Sequence, residues 1–289
     1  MKTATKKALR QQTASAARQI TWPFARATAA WRRLPDFVIV GAQRCGTTSL
    51  YRYLLRHPDV GGVRLGKGVH YFDTNAGEPL RWYQAHFPID RQRIPAGRGP
   101  RLVGESSPYY MFHPAVPARL RAAAPDVKVI AVLRDPVERA HSQWVHETAR
   151  GYETLGLMDA LEAESLRLVG QEERLLADPR ATSFSHQHHS YLARSQYAGQ
   201  IERLWSTFGR DQVLVVPAAQ LFEQPDVAWS KTLDFLGLAP FDIPFTVHNA
   251  HSYDALEPEA REFLESRLAD SNQRLVEMLG PDFDFSRHG

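Results

Sequence analysis

Short runs of apolar residues alternate along the chain with longer segments in which apolar residues recur every three or four positions. The short runs predict buried strands, and the longer segments predict helices with one buried face. The predicted strands lie at 37–40, 60–63, 102–105, 127–133 and 212–216. The predicted helices lie at 114–123, 136–149, 157–177, 190–208, 226–236 and 256–279.

The order of these elements predicts an α/β fold. The segments at 127–133 and 212–216 contain continuous apolar stretches, as is typical of parallel strands that are covered on both faces. Such alternation predicts three layers, with a central, mainly parallel sheet and helices on both faces. Ligands bind at the carboxyl ends of the strands in this architecture. The residues that follow each strand are therefore the candidates for function.

A candidate phosphate-binding loop follows the first predicted strand. Residues 37–55, FVIVGAQRCGTTSLYRYLL, run from a buried strand through a loop bounded by Gly41 and Gly46 into a helix. Hydroxyl side chains at 47–49 stand where that helix begins. A helix start presents unpaired amides and the positive end of the helix dipole, which together favour a phosphate. The segment therefore predicts a P-loop-like fold with an anion held at 44–49.

The loop differs from that of a nucleoside triphosphatase. Its glycine spacing is that of a P-loop, but Thr47 stands where those enzymes need lysine. The positive charge is Arg44, inside the loop. We expect a loop that holds a phosphate without being built for a γ-phosphate and magnesium. The alternative is an ordinary glycine-containing turn between a strand and a helix.

A second candidate phosphate site follows the strand at 127–133. Arg134 comes just after the strand, and Pro136 suits the first turn of the next helix. Ser142, farther along that helix, is able to face the same cleft. An arginine fork and a hydroxyl suit a terminal phosphate. The alternative is a surface pair of Arg134 and Asp135 with a solvated Ser142.

The positive charge of the chain is concentrated at its beginning. Residues 1–33 contain eight Lys or Arg and no Asp or Glu, so the remainder has 27 basic against 32 acidic residues. We expect a basic extension at 1–34 and a catalytic domain at 35–289. Trp22, Phe24 and Trp31 lie among the arginines and predict a helix that contacts an anionic membrane surface. The alternative is a disordered, solvated extension.

The cysteine content and the hydropathy of the chain limit its cellular compartment and its class of protein. Cys45 is the only cysteine, which excludes a disulfide framework and zinc-ligand spacing. No run approaches the 18 apolar residues of a membrane span. We expect a cytoplasmic protein with no nucleic-acid partner. Cys45 is interpreted as a small residue that fills a tight loop; the alternative is a thiol whose pKa is lowered by the helix start.

Two motifs resemble those of sulfotransferases that use 3′-phosphoadenosine 5′-phosphosulfate (PAPS). GAQRCGTTSL at 41–50 resembles the family's 5′-phosphosulfate loop, and LRDPVERAHSQW at 133–144 resembles its 3′-phosphate motif. VHYFDTN at 69–75 and ESSPYYMFHP at 105–114 resemble segments of the heparan-sulfate-type branch and its bacterial relatives. This resemblance does not include the basic extension at 1–34.

The resemblance implies a reaction and a set of binding residues. A sulfotransferase moves a sulfuryl group from PAPS to a hydroxyl of a small metabolite, lipid or carbohydrate, and it gives PAP and a sulfate ester without a metal. By analogy, Arg134 and Ser142 bind the 3′-phosphate, Tyr253 contacts the cofactor, and Arg44 stabilises charge on the bridging oxygen. The 5′-phosphate would be held by the loop residues Arg44, Cys45, Gly46, Thr47, Thr48 and Ser49.

The resemblance is less complete at the general base. The branch usually carries a glutamate where this chain has Gly68, and often a lysine where it has Ser106. His70 matches a histidine of the family, and an imidazole that titrates near neutrality suits the role. Asp73 would orient His70, and Glu105 is a second candidate base. The alternative for His70 is a buried histidine bonded to the backbone.

Two other function classes stay open at this stage. A small-molecule kinase fits the strand, loop and helix pattern alone, although Thr47 argues against it. A catalytically weak PAP-binding protein fits the glycine at 68. A metal site in SFSHQHHS at 183–190 is supported only by the number of histidines. The slightly acidic domain disfavours a polyanionic acceptor and favours a neutral or hydrophobic one.

Overall fold

The computed structural model of the protein describes residues 21–64, 66–93, 99–245 and 255–285. Five strands in these ranges form one sheet in the order β2-β3-β1-β4-β5. All four strand pairings are parallel, which confirms the predicted sheet. The strands are β1 (Phe37–Gly41), β2 (Val60–Gly62), β3 (Leu102–Ser106), β4 (Lys128–Leu133) and β5 (Val213–Pro217).

Helices surround the sheet, and their apolar faces cover it. Every residue of β1 is buried, as are the five residues of β4 that follow Lys128. The α-helices that follow residue 28 are α1 (Thr47–Leu54), α2 (Leu80–Gln84), α3 (Val116–Ala123), α4 (Pro136–Ala149), α5 (Leu157–Leu168), α6 (Gln171–Ala177), α7 (Phe184–His188), α8 (Leu192–Ser195), α9 (Tyr197–Phe208), α10 (Ala218–Glu223), α11 (Pro225–Leu236) and α12 (Pro258–Leu279) in the described part of the chain.

Two helices that the sequence predicts as continuous are interrupted. The predicted helix at 157–177 is divided into α5 and α6, because Gly170 adopts φ 70° in the left-handed region. The predicted helix at 190–208 is divided into α8 and α9 at Gln196, whose ψ of 82° is not helical. The short helices α2, α7 and α10 were not predicted, since five or six residues give too little periodicity to recognise.

The described part of the N-terminal segment packs against the domain. Residues 21–27 are helical, and Ala25 and Ala29 are buried with Ala85. The Arg32 guanidinium donates to the Phe87 carbonyl oxygen at 2.5 Å. The domain boundary at residue 34 stays a prediction. Among the described residues, no helix is both long and apolar enough to cross a membrane.

The topology brings five loops to one edge of the sheet. Because all strands are parallel, the segments that follow β1, β2, β3, β4 and β5 emerge on the same side. Both sequence motifs and the segment around His70 belong to these loops. The fold therefore positions the candidate residues around a single cleft.

Candidate active site

A cleft of 780 Å³ opens at the carboxyl edge of the sheet. Its walls come from the loop after β1, the start of α1, the segment after β2, the loop after β3, the α4 face and α10. The residues that line it include Arg44, Cys45, Gly46, Thr47, Thr48, Ser49, Lys67, His70, Arg134, His146, Arg150, Gln187, His188 and Phe222.

The predicted phosphate loop forms the base of this cleft. Gly46 precedes α1 with φ 93°, a conformation that favours glycine. A β-carbon at Gly46 would lie 2.8 Å from the Phe222 ring, so the close packing also requires glycine. The Ser49 amide donates to the Gly46 carbonyl oxygen at 2.9 Å, whereas the first two amides of an α-helix have no acceptors within it. The loop therefore directs amides and the helix dipole toward the cleft.

Lys67 is a functional residue that the sequence reasoning missed. Its Nζ donates to Thr48 Oγ1 at 2.9 Å and lies 3.5 Å from Thr47 Oγ1. Burial lowers the Lys67 pKa to about 8, and repulsion from Arg52 and Arg44 acts in the same direction. The available signal was its place after β2, where the architecture puts ligand-binding residues.

The two phosphate motifs meet in the structure. The Arg44 Nε donates to Ser142 Oγ at 3.1 Å, across 98 positions of sequence. Arg134 lines the same cleft, and its guanidinium lies 3.5 Å from Glu138. Arg134 and Ser142 are thus arranged beside the loop and not as separate surface residues.

The cleft is electropositive. Arg44, Lys67, Arg134 and Arg150 line it, whereas Asp135 is the acidic residue of its described lining. The Asp135 carboxylate accepts from the Val137 amide at 2.7 Å and caps α4. Because that carboxylate is engaged with the helix, the lining favours an anion.

Cys45 is buried beneath the loop. Its Sγ lies 3.6 Å from the Tyr197 hydroxyl and 3.6 Å from the Gln43 carbonyl oxygen. Burial raises the pKa of the Cys45 thiol and outweighs the opposing charge of Arg139. This geometry fits a small residue that fills the loop and argues against a lowered thiol pKa.

His70 and Asp73 form a pair at the side of the cleft. The His70 Nδ1 lies 2.8 Å from Asp73 Oδ2, and the His70 side chain is 38% exposed whereas that of Asp73 is buried. Burial alone lowers the His70 pKa, but the hydrogen bond and the charge of Asp73 outweigh it and raise that pKa above 6.5. With Nδ1 bonded to the carboxylate, the lone pair of neutral His70 is on Nε2.

Glu105 lies away from the cleft lining. Its carboxylate is fully buried and accepts from Val69 N at 2.6 Å, Tyr83 Oη at 2.6 Å, Ser107 Oγ at 2.8 Å and Tyr110 Oη at 3.2 Å. Burial raises the Glu105 pKa, and these donors partly oppose that effect. The geometry favours Glu105 as a support of the loop and argues against its prediction as a second base.

The atoms packed around Gly68 leave no room for a side chain. A β-carbon there would lie 2.6 Å from Ser107 Oγ and would overlap the Ser106 carbonyl oxygen. The Ser106 amide donates to the Lys67 carbonyl oxygen at 2.7 Å, which fixes the two segments together. The position where the sequence resemblance led us to expect a glutamate is therefore closed by close packing against residues 106 and 107.

The histidines of the segment 183–190 have separate partners. The Nδ1 of His186 bonds the Tyr109 hydroxyl at 2.7 Å, and that of His188 bonds Glu147 at 3.0 Å. The described residues contain no group of three or more His, Cys, Asp or Glu that could hold a metal ion. Tyr253, the predicted cofactor contact, lies outside the described residues.

A family model described as a sulfotransferase domain matches residues 34–252. The membrane-associated sulfotransferase kil1 of Dictyostelium discoideum is 25% identical over 86% of this chain. Human heparan sulfate glucosamine 3-O-sulfotransferase 3B1 is 30% identical over 72% of this chain. The alignments span 66% and 47% of these two relatives' own lengths.

Solved structures show the same architecture. A sulfotransferase from Alicyclobacillus acidocaldarius has a TM-score of 0.66 and 29% identity, with coverage of 86% of this chain and 96% of that chain. Mouse sulfotransferase SULT7A1, complexed with PAP, has a TM-score of 0.53 and 12% identity, with coverage of 91% and 93%, so it informs the fold alone. The matches confirm the likeness expected from the sequence motifs.

The burial of Cys45 predicts an unreactive thiol. Because the thiolate is the reactive form and burial raises the thiol pKa, modification by a disulfide reagent should be at least about 100-fold slower in the folded protein than in urea. Because Cys45 is the only cysteine, the absorbance change of the reagent reports the modification of this thiol alone. Equal rates in the two conditions would contradict the structure of the loop.

Proposed function

This chain belongs to the sulfotransferase family, and from that premise we propose that it transfers a sulfuryl group from PAPS to an acceptor hydroxyl. The products would be PAP and a sulfate ester. The observation that carries the proposal is the convergence of Arg44, Lys67 and Arg134 on one electropositive cleft, where Arg44 also bonds the buried Ser142 hydroxyl. Two basic clusters in one cleft suit a nucleotide with phosphates at two positions.

The residues present fit PAPS. The α1 amides and the hydroxyls of Thr47 and Thr48 would hold the 5′-phosphosulfate, and Arg134 with Ser142 would hold the 3′-phosphate. Phe222 offers an exposed ring beside Gly46 for the adenine. The family match over residues 34–252 supports this choice of nucleotide.

PAPS would supply the sulfuryl group, whose sulfur bonds to the acceptor oxygen as its bond to the 5′-phosphate oxygen breaks. Arg44 and the Lys67 ammonium would stabilise the negative charge that develops on the phosphate side. His70 Nε2 would accept the proton of the acceptor hydroxyl. Asp73 would hold the His70 ring in the required tautomer through Nδ1.

Two rival functions are less well supported. A kinase would need a lysine at Thr47 to bind its terminal phosphates. A PAP-binding protein without catalysis would not need the His70–Asp73 pair beside the loop. Turnover of PAPS into PAP and a sulfate ester separates both rivals from a sulfotransferase.

For the acceptor and for the cellular location, the proposal names broad classes. We propose a small metabolite, lipid or sugar as the acceptor and the cytoplasm as the compartment. Phe24 and Trp31 are 58% and 54% exposed on the described part of the basic segment, which supports contact with an anionic membrane. Flotation of the full chain with anionic vesicles tests that contact. A chain that does not float with the vesicles would contradict the proposed membrane contact.

The nucleotide assignment predicts selective stabilisation. PAP should raise the melting temperature far more than 5′-AMP does, because only PAP reaches Arg134 and Ser142 through a 3′-phosphate. Arg134→Ala should abolish the difference between the two nucleotides. Arg274→Ala, which removes an exposed ion pair with Glu202, is the control and should retain it. Equal shifts by PAP and 5′-AMP would refute the assignment.

The low pKa of Lys67 predicts a pH-dependent affinity. The Lys67 ammonium loses its proton as the pH rises through about 8, so the cleft loses one positive charge. The dissociation constant of PAP, measured by calorimetry, should increase about tenfold between pH 7 and 9. Lys67→Met should bind PAP weakly at pH 7 and show little change over this range. If the dissociation constant of PAP changed with pH in the same way for the wild type and for Lys67→Met, Lys67 would be excluded as a residue that binds PAP.

The His70–Asp73 pair predicts the pH profile of turnover. A general base acts in its neutral form, and Asp73 raises the His70 pKa, so kcat should fall as the pH is lowered through an apparent pKa above 6.5. His70→Ala should lower kcat about 100-fold and remove this limb while PAP affinity is kept.

Asp73→Asn is the matched variant. It removes the charge that raises the His70 pKa, so the acid limb should move to lower pH. Full turnover by the His70→Ala enzyme would show that His70 is not the base. The acceptor hydroxyl would then have to ionise without help from this residue.

A further inference from the structure

A cluster of three aromatic rings, two exposed and one buried, lies beside the candidate active site. We name Tyr152, Phe184 and His188 the aromatic rim. The His188 ring centroid is 4.5 Å from that of Tyr152 and 4.6 Å from that of Phe184. The Tyr152 and Phe184 rings are 5.6 Å apart and meet edge to face. The three residues therefore form one continuous ring surface.

The aromatic rim continues the cleft wall. His188 lines the cleft, and its Nδ1 is fixed by Glu147 of α4 at 3.0 Å. Arg150 lines the cleft as well, and its guanidinium lies 4.3 Å from the Tyr152 ring centroid. The rim is thus attached to the site through two lining residues.

The α4 helix relates the rim to the nucleotide end of the cleft. Ser142, His146 and Arg150 are spaced by four residues and so follow one face of the helix. Eight residues of helix separate Ser142 from Arg150 by about 12 Å. The rim is therefore displaced from the 3′-phosphate residues along the length of the cleft.

The rim exposes apolar surface where a ligand would pass. Phe184 is 53% exposed and Tyr152 is 38% exposed. Aromatic rings lose little conformational entropy on binding and stack on flat ligands with specific geometry. Exposed rings that border a binding cleft indicate contact with a ligand.

The charges at this end argue against a polyanionic ligand. The Arg150 guanidinium lies 3.5 Å from the buried Glu147 carboxylate, which offsets its charge. The other lining cations, Arg44, Lys67 and Arg134, are those proposed to bind the nucleotide. A sulfated polysaccharide would therefore meet aromatic rings at the rim and not a basic groove.

We propose that the aromatic rim binds a flat, apolar ring system of the acceptor and so selects phenols or alcohols carried on such a ring. This inference rests on the proposed function, since the bound acceptor presents its hydroxyl to His70. The rim supplies contact area for the part of the acceptor that does not react, so it contributes to affinity and not to the chemical step.

The test measures binding of 2-naphthol to the PAP-loaded full chain by calorimetry, together with the KM for 2-naphthol in PAPS-dependent sulfation. A Tyr152→Ala and Phe184→Ala double variant should weaken binding and raise KM about tenfold. Its kcat should stay within about twofold, and its stabilisation by PAP should be unchanged. Leu166→Ala, which alters a 79% exposed apolar residue of α5, is the control and should match the wild type.

The outcomes separate the two proposals. Stabilisation by PAP with equal 2-naphthol affinity in wild type and double variant would overturn the rim assignment alone. Tighter binding of methyl N-acetylglucosaminide than of 2-naphthol would overturn the ring assignment in favour of a carbohydrate. Failure of PAP to bind would overturn the proposed function, and the rim assignment with it.

Discussion

The buried carboxylate of Glu105 fixes the geometry of the loop that carries Lys67 and His70. One of its four donors is the amide of Val69, which lies between Lys67 and His70 in sequence. Anchoring the chain at this central residue constrains the loop on both sides of it. Lys67 then reaches the hydroxyls of α1, while His70 bonds Asp73.

Below the cleft, two buried arginines form hydrogen bonds with neutral partners. The fully buried guanidinium of Arg139 donates to Ser195 Oγ at 2.7 Å and Gln143 Oε1 at 2.5 Å. Arg194 is equally buried and bonds the carbonyl oxygens of residues 186 and 187. These hydrogen-bond partners are neutral, and the buried Glu164 carboxylate acts on both guanidinium groups and partly offsets their charge. Arg194 also donates to Gln43, so it joins the phosphate loop to the histidine segment.

Sequence reasoning succeeded where a local pattern determines the structure. The apolar runs located the five strands of the described residues, and the turn from β1 into α1 was recognised from glycines, hydroxyls and the flanking strand. It was less successful where distant segments decide the outcome. Lys67 has no local pattern of its own and acquires its role from contact with Thr48 in another element. Glu105 looked like a candidate base in the sequence because its four donors become visible only after folding.

The tight packing at Gly68 constrains the order in which this sequence can change. A glutamate there requires the backbone at Ser106 and Ser107 to move, and Ser107 is itself a donor to Glu105. A single substitution at Gly68 would thus disturb the anchor that positions its neighbours, whereas changes at 68, 106 and 107 made together need not. The three positions are therefore epistatic. One substitution at Gly68 therefore cannot place an acidic side chain there unless residues 106 and 107 also rearrange.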